Sequence, residues 1–137
     1  MLNTYNLFIS HSWTYSDAYE KLINLISNRP YFNFKNYSVP KDDPIHNAFN
    51  QQLLYEAIKR QISPCNIVII LAGVYASYSK WINKEIEIAK NEFDIPKPIL
   101  AVQPWASEKT SQIVKNNADK IVGWNTESII SGIRELV

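Results

Sequence analysis

Trp81 and Glu85 are the pair in this sequence best suited to do chemistry, an acid placed one helical turn after a large aromatic ring. A carboxyl group beside an aromatic face and out of bulk water has a raised pKa, and once ionised it stabilises a developing cation. Residues four apart share a helix face. At about 100° per residue, Ile82, Ile86, Ala89 and Phe93 fall within roughly 60° of one another and form a core stripe. Glu85 lies about 70° from the centre of that stripe, on the flank with Trp81 and Ile88. Glu87 points away from the core, beside Lys84 and Asn91. The alternative for Glu85 is a surface glutamate favoured by the helix dipole.

A second group of candidates sits where strands give way to helices. Ser10, Ser12, Ser77 and Ser79 offer hydroxyls and backbone N–H groups to phosphates, and the same residue types cap helices. His11 is a base, a ligand contact or a polar loop residue. His46 shares a loop with Asp42 and Asp43, which invites a metal, but two histidines and one cysteine without liganding spacing argue against one. Asp43-Pro44 is a turn former. Trp105, after Pro104, is either a stacking surface or a cover for the sheet edge.

These residues need a frame, and the apolar periodicity supplies it. Tyr5 to Ile9 reads as a strand ending at Ser10-His11-Ser12. Trp13 to Asn28 reads as a helix, with Thr14 and Asp17 as a capping box and Ala18, Leu22, Leu25 and Ile26 on one face. Arg29-Pro30 stops it. Phe32 and Phe34 alternate with polar residues as in a strand, and Pro40 to Asn47 is a loop. Asn50 to Ile62 is a second helix, with Leu54, Ala57, Ile58 and Ile62 on one face, ended by Ser63-Pro64. Asn66 to Ala72 lacks polar alternation and reads as a strand buried on both faces. A turn at Gly73 to Ser79 leads into a helix from Lys80 to Phe93. Ile99 to Val102 is a fourth strand, Glu108 to Asn116 a short helix, and Ile121-Val122 a fifth strand. Asn125 or Thr126 caps a last helix carrying Ile129, Ile130, Ile133 and Leu136. Five strands alternating with helices predict an α/β fold, a flavodoxin-like doubly wound sandwich around a central five-stranded parallel sheet. Its ligand crevice lies outside the carboxyl ends of the strands.

Composition narrows the function. The 137 residues suggest one domain, 1–137, large enough for a real core. With 14 basic and 13 acidic residues and no run of like charge, no nucleic-acid groove or polybasic membrane patch is expected. The start lacks signal-peptide character and no apolar run spans a bilayer, so a cytoplasmic protein is expected. The single cysteine, Cys65, reads as a packed thiol. Three glycines leave no Walker-type loop and no G-x-G-x-x-G. No G-x-S-x-G elbow occurs. A phospho-accepting receiver needs acidic residues where Ser10-His11-Ser12 stand.

Leu7-Phe8-Ile9-Ser10-His11-Ser12 resembles the first box of TIR domains, and Trp81-Ile82-Asn83-Lys84-Glu85-Ile86 resembles their W-x-x-x-E helix. The chain is similar to the bacterial TIR-like family that includes the Thoeris antiphage proteins, an impression strengthened by Tyr37 to Ile45 and by Val122-Gly123-Trp124-Asn125-Thr126. The resemblance implies an NAD-consuming enzyme, an NAD glycohydrolase or ADP-ribosyl cyclase. NAD would be its substrate, with no cofactor and no metal. Glu85 matches the catalytic glutamate and Trp81 the preceding tryptophan. Ser10, His11 and Ser12 border the nucleotide, with Asp43 and Ser79 as further substrate contacts. The Asp43 loop departs from many relatives in lacking a Pro-Gly pair. Self-assembly, and a separate effector reached through a diffusible nucleotide signal, are also implied. A non-catalytic adaptor acting through loop residues such as Ile45 and Trp105, and a nucleoside deoxyribosyltransferase-like enzyme, are the competing readings.

Overall fold

Apolar residues run unbroken through the middle strands, and the sheet they build is covered on both sides. The computed structural model describes residues 4–10, 17–37, 51–71, 80–103 and 112–137, with the side chains of 17–19, 51, 54, 80–82, 112 and 113 outside the description. The order is β1 (Thr4–Ser10), α1 (Asp17–Ser27), β2 (Asn33–Asn36), α2 (Gln51–Ile62), β3 (Ile67–Leu71), α3 (Lys80–Asn91), β4 (Ile99–Val102), α4 (Gln112–Asn117), β5 (Lys120–Val122) and α5 (Thr126–Leu136). All four strand pairings are parallel and the sheet order is β2-β1-β3-β4-β5. This is the expected doubly wound, flavodoxin-like arrangement. The chain reverses its direction of winding between β1 and β3, which places the topological switch point there.

Period-two alternation divides the core into two layers. Phe8, Val68, Ile70, Ile99 and Ala101 face one side, where Ile58 and Ile62 of α2, Ile86, Ile88 and Ala89 of α3, and Val114 of α4 cover them. Leu7, Ile9, Ile67, Ile69, Leu71, Leu100 and Val102 face the other, against Leu22 and Ile26 of α1 and Ile129, Ile130 and Ile133 of α5. Ser10 is two residues beyond Phe8, so its side chain belongs to the α2–α3–α4 layer.

Most element boundaries agree with the sequence to within a residue or two. The fourth strand occupies Ile99–Val102 as expected. Asn125 is the N-cap of α5, its side chain accepting from the Ser128 N–H at 2.8 Å. Cys65 is buried, its thiol donating to the Gln61 carbonyl at 3.3 Å, and burial pushes its pKa up to about 12. Thr14 of the expected capping box, the side chain of Asp17, the Pro40–Asn47 loop with Asp43, Ile45 and His46, the first part of the Glu108 helix and Trp105 lie outside the described residues.

The last helix packs onto the sheet through a glycine. A Cβ placed on Gly132 would stand 2.9 Å from Cδ1 and 3.4 Å from Cδ2 of Leu100, which is fully buried. Replacing Gly132 by alanine gains roughly 1 kcal/mol of helix propensity, but overpacking a filled core costs about 1–3 kcal/mol. Gly132→Ala is therefore expected to lose about 1 kcal/mol net. Thermal unfolding checks this as a Tm lowered by a few degrees.

Candidate active site

Among the described residues only two polar side chains are buried, Ser10 at 1% exposure and Glu85 at 7%. They come from different elements. Ser10 ends β1, where it pairs in register with Ile70 of β3. Glu85 stands in the second turn of α3, the helix that follows β3. Strand alternation sends the Ser10 side chain into the α3 layer, and helical periodicity turns Glu85 back toward the sheet. The two therefore meet near the carboxyl end of β1, beside the switch point.

Observed burial refines the helical wheel. Glu85, Ile86, Ile88 and Ala89 are buried, whereas Asn83, Glu87 and Asn91 are exposed. The expected stripe put Ile88 on the flank and Phe93 in the core. Instead Ile88 is fully buried and Phe93 is half-buried. Among the described side chains, the buried face of α3 thereby extends further toward Glu85 than the wheel placed it. The cause is tertiary, because α3 packs against both α2 and α4 as well as the sheet. Glu85 is thus covered rather than placed at an edge. Glu87 points outward, as the wheel requires.

The electrostatics follow from this cover. Burial pushes the Glu85 carboxyl up to about 8, and the nearby Ser10 hydroxyl pulls weakly in the opposite direction. The hydroxyl's proximity does not amount to a well-formed hydrogen bond, since Ser10 Oγ and Glu85 Oε2 both lack a partner. Buried polar atoms are nearly always bonded, so two orphans side by side call for an explanation. Together they offer a carboxyl oxygen and a hydroxyl to a ligand carrying hydroxyl groups.

Of the other expected site residues, His11, Ser12, Asp43 and Ser79 lie outside the described residues, as do Ser77 and His46. Trp81 is in α3, but its side chain is outside the description. No cluster of three or more potential metal ligands, and no helix long and apolar enough to cross a membrane, occurs among the described residues. Sequence reasoning missed a groove of about 510 Å³ on the opposite face of the sheet, lined by residues including Lys21, Asn24, Leu25, Trp124 and Glu127. Its walls come from α1 and from the start of α5, so no local pattern announces it.

A sequence profile described as the TIR-like domain of the Thoeris protein ThsB matches residues 8–109. The chain belongs to the Thoeris ThsB TIR-like family. The matched span contains the end of β1, all of α3 and every candidate site residue. It stops before Val122-Gly123-Trp124-Asn125-Thr126, so that stretch has no share in the match. Among solved structures, a diflavin flavoprotein A3 from Nostoc sp. is similar over 99% of this chain and 72% of its own, with 15% identity and a TM-score of 0.38. No curated protein matches.

Keeping an acid buried in this TIR-like domain has a consequence for stability. Between pH 4.5 and about 8 the folded protein retains a proton on Glu85 that the unfolded chain has released. Stability therefore falls as pH rises through that window. The full effect is on the order of 3–5 kcal/mol. Glu85→Gln removes the titration, so its Tm relative to the unaltered protein should climb by roughly 10 °C between pH 5 and pH 9. Parallel Tm curves over that range would refute the neutral-acid assignment.

Proposed function

We propose that this TIR-like domain cleaves the bond between nicotinamide and ribose in NAD, with Glu85 as the catalytic residue. The observation that carries the reading is that the only two buried polar side chains among the described residues, with Ser10 Oγ and Glu85 Oε2 unbonded, meet at the carboxyl end of β1, the end at which doubly wound sheets bind ligands. In the reaction the glycosidic C–N bond breaks and its electron pair goes to the ring nitrogen. Nicotinamide leaves as a neutral molecule, so no general acid is needed. The ribose carbon carries oxocarbenium-like charge, as in glycoside hydrolysis generally. A carboxylate held close to that carbon stabilises the charge, and it does so more strongly in an apolar layer than in water. Ser10 helps hold the ribose hydroxyls, and Trp81 shapes the pocket. His11, Ser12, Asp43 and Ser79 complete the nucleotide contacts.

The ribosyl cation is then captured by water or by a hydroxyl or ring nitrogen of the same nucleotide. The first outcome is ADP-ribose and the second a cyclic nucleotide. In an antiphage setting such a product serves as a diffusible signal to a separate effector, and assembly of TIR-like domains completes or activates the site.

Nicotinamide release from NAD at high protein concentration tests this. Glu85→Ala should lower the rate at least about 100-fold. Glu87→Ala, altering an exposed side chain two residues on, should stay within about twofold. Ser10→Ala should cost about tenfold in kcat/KM, equivalent to about 1.4 kcal/mol of transition-state binding. Equal losses at positions 85 and 87 would remove the assignment. Full activity in Glu85→Ala would point to a different catalytic residue, and no nicotinamide release from the unaltered protein would favour an adaptor.

A further inference from the structure

The groove between α1 and α5 is a second place where this chain can hold a small molecule, and the reaction proposed above makes no use of it. Its volume of about 510 Å³ falls within the roughly 300–1,000 Å³ of small-molecule sites. Its walls belong to the helices on one face of the sheet, whereas Glu85 stands on α3, which covers the other. Trp124 and Thr126 come from the stretch after β5, beyond the span that matches the family.

The lining specifies the ligand. Trp124 is half-buried, packing on the apolar layer beneath α1 and α5 while also lining the groove. An indole backed in this way is a rigid platform for a flat aromatic ring. Lys21 from α1 and Arg29 from the turn after it bring two positive charges. Glu127 is the acidic residue among the described lining side chains, so positive charge is in excess there. Thr126 and Glu127 open α5, and their backbone N–H groups have no intrahelical acceptor. Asn125 takes the next two, its side chain accepting from the Ser128 N–H and its carbonyl from the Ile129 N–H. The positive end of α5 therefore borders the same space as the two cations. Asn24 and Asn28 add amides, which both donate and accept, suited to a ring edge or a sugar hydroxyl.

A ring to stack on the indole, an anion to meet the cations and polar groups between them are the parts of a nucleoside phosphate. We propose that the α1–α5 groove binds a mononucleotide, with the base on Trp124 and the phosphate between Lys21 and Arg29, at a site separate from Glu85. In the free protein Arg29 is paired with Glu127. A guanidinium holds phosphate through two parallel hydrogen bonds, so the incoming phosphate takes Arg29 over. Glu127 is exposed and turns to water when displaced. It therefore competes with the ligand, and removing its charge strengthens binding.

Titration of the isotope-labelled full chain with AMP, followed by NMR of its amide and indole N–H signals, tests this. The Trp124 indole signal, assigned from Trp124→Phe, and the amides of Lys21, Leu25, Thr126 and Glu127 should shift together on one binding curve. Adenosine, which lacks the phosphate, and ribose phosphate, which lacks the base, should each bind at least about tenfold more weakly. Added salt should weaken AMP and leave adenosine unchanged. Trp124→Ala should weaken AMP at least about tenfold, and Lys21→Glu by a similar factor of about ten. Glu127→Gln should strengthen AMP about threefold or more. That variant alters an exposed side chain without changing its shape, so it decides the matter even if loss of Trp124 unsettles the fold. Groove signals that stay still at millimolar AMP, or shifts confined to Ser10 and α3, overturn the proposal. So does weaker or unchanged binding in Glu127→Gln. Groove signals that broaden with protein concentration and ignore AMP would assign the groove to a second copy of the chain and overturn it as well.

Discussion

A buried carboxyl with one oxygen, Glu85 Oε2, left unbonded in an apolar layer is the constraint around which this domain is arranged. Leaving a buried polar atom unbonded costs about 1–3 kcal/mol, and ionising an isolated carboxyl in such a place costs more. A helix that serves only to cover a sheet would carry leucine or isoleucine at position 85. The neighbouring positions Ile86, Ile88 and Ala89 show what such covering looks like. Glu85 is accepted because the rest of the layer is closely packed and because the unfavourable group is confined to one end of the sheet.

That end differs from the other. At the amino ends of the strands, polar groups are tied together. Asn6 donates its backbone N–H to Asn66 Oδ1 at 2.8 Å and its amide to the Pro64 carbonyl at 2.9 Å, and the Asn66 N–H donates back to the Asn6 carbonyl at 2.8 Å. Lys97 donates to the carbonyls of Ser63 and Cys65 and stands 5.0 Å from the Phe93 ring centre. Asp119 Oδ2 accepts from the Ile99 N–H and from Lys90. Strand entries are thus pinned to one another by satisfied bonds, fixing the register of β1, β3 and β4. At the carboxyl ends the described polar atoms Ser10 Oγ and Glu85 Oε2 are left unbonded. Among the described residues, satisfied polar groups gather at one end of the sheet and unbonded ones at the other, a division open to parallel sheets because all their strands end on the same side.

Much of this was legible in the chain itself, for identifiable reasons. Ile99–Val102 announced its own limits because Pro98 precedes it and Gln103-Pro104 follow, leaving four apolar residues with no other place to go. The opposite orientations of Glu85 and Glu87 followed from helix geometry alone. What the wheel could not supply was the rotation of α3. A wheel weights each apolar residue equally, whereas burial depends on what stands opposite. Ile88 is fully buried because α3 has helices on both flanks, and no local periodicity encodes their positions. The pairing of Ser10 with Glu85 was legible only in outline. It depends on strand alternation carrying Ser10 into the same layer as Phe8, and on β1 and β3 being neighbours in the sheet order. The groove between α1 and α5 lay beyond reach because residues from opposite ends of the sequence form its walls.

The raised pKa and the proposed chemistry bear on each other in a way that a static picture of a catalytic carboxylate hides. A site that was already ionised would need a cation to hold it, and in the resting protein that cation would come from a lysine or arginine. Such a partner would occupy the volume the substrate's charged ring requires and would lower the carboxylate's power to stabilise a second positive charge. With no described cation paired to it, Glu85 would keep its electrostatic capacity available for the charge that develops in the proposed reaction. In the reaction proposed above, positive charge would move from the pyridinium to the ribose as the glycosidic bond breaks, and a carboxylate beside it would stabilise that charge. Ser10, the only other buried polar side chain among the described residues, adds a hydroxyl without adding a charge. Serine at that position is therefore compatible with keeping the acid neutral in the free protein, whereas a lysine or histidine there would ionise it prematurely.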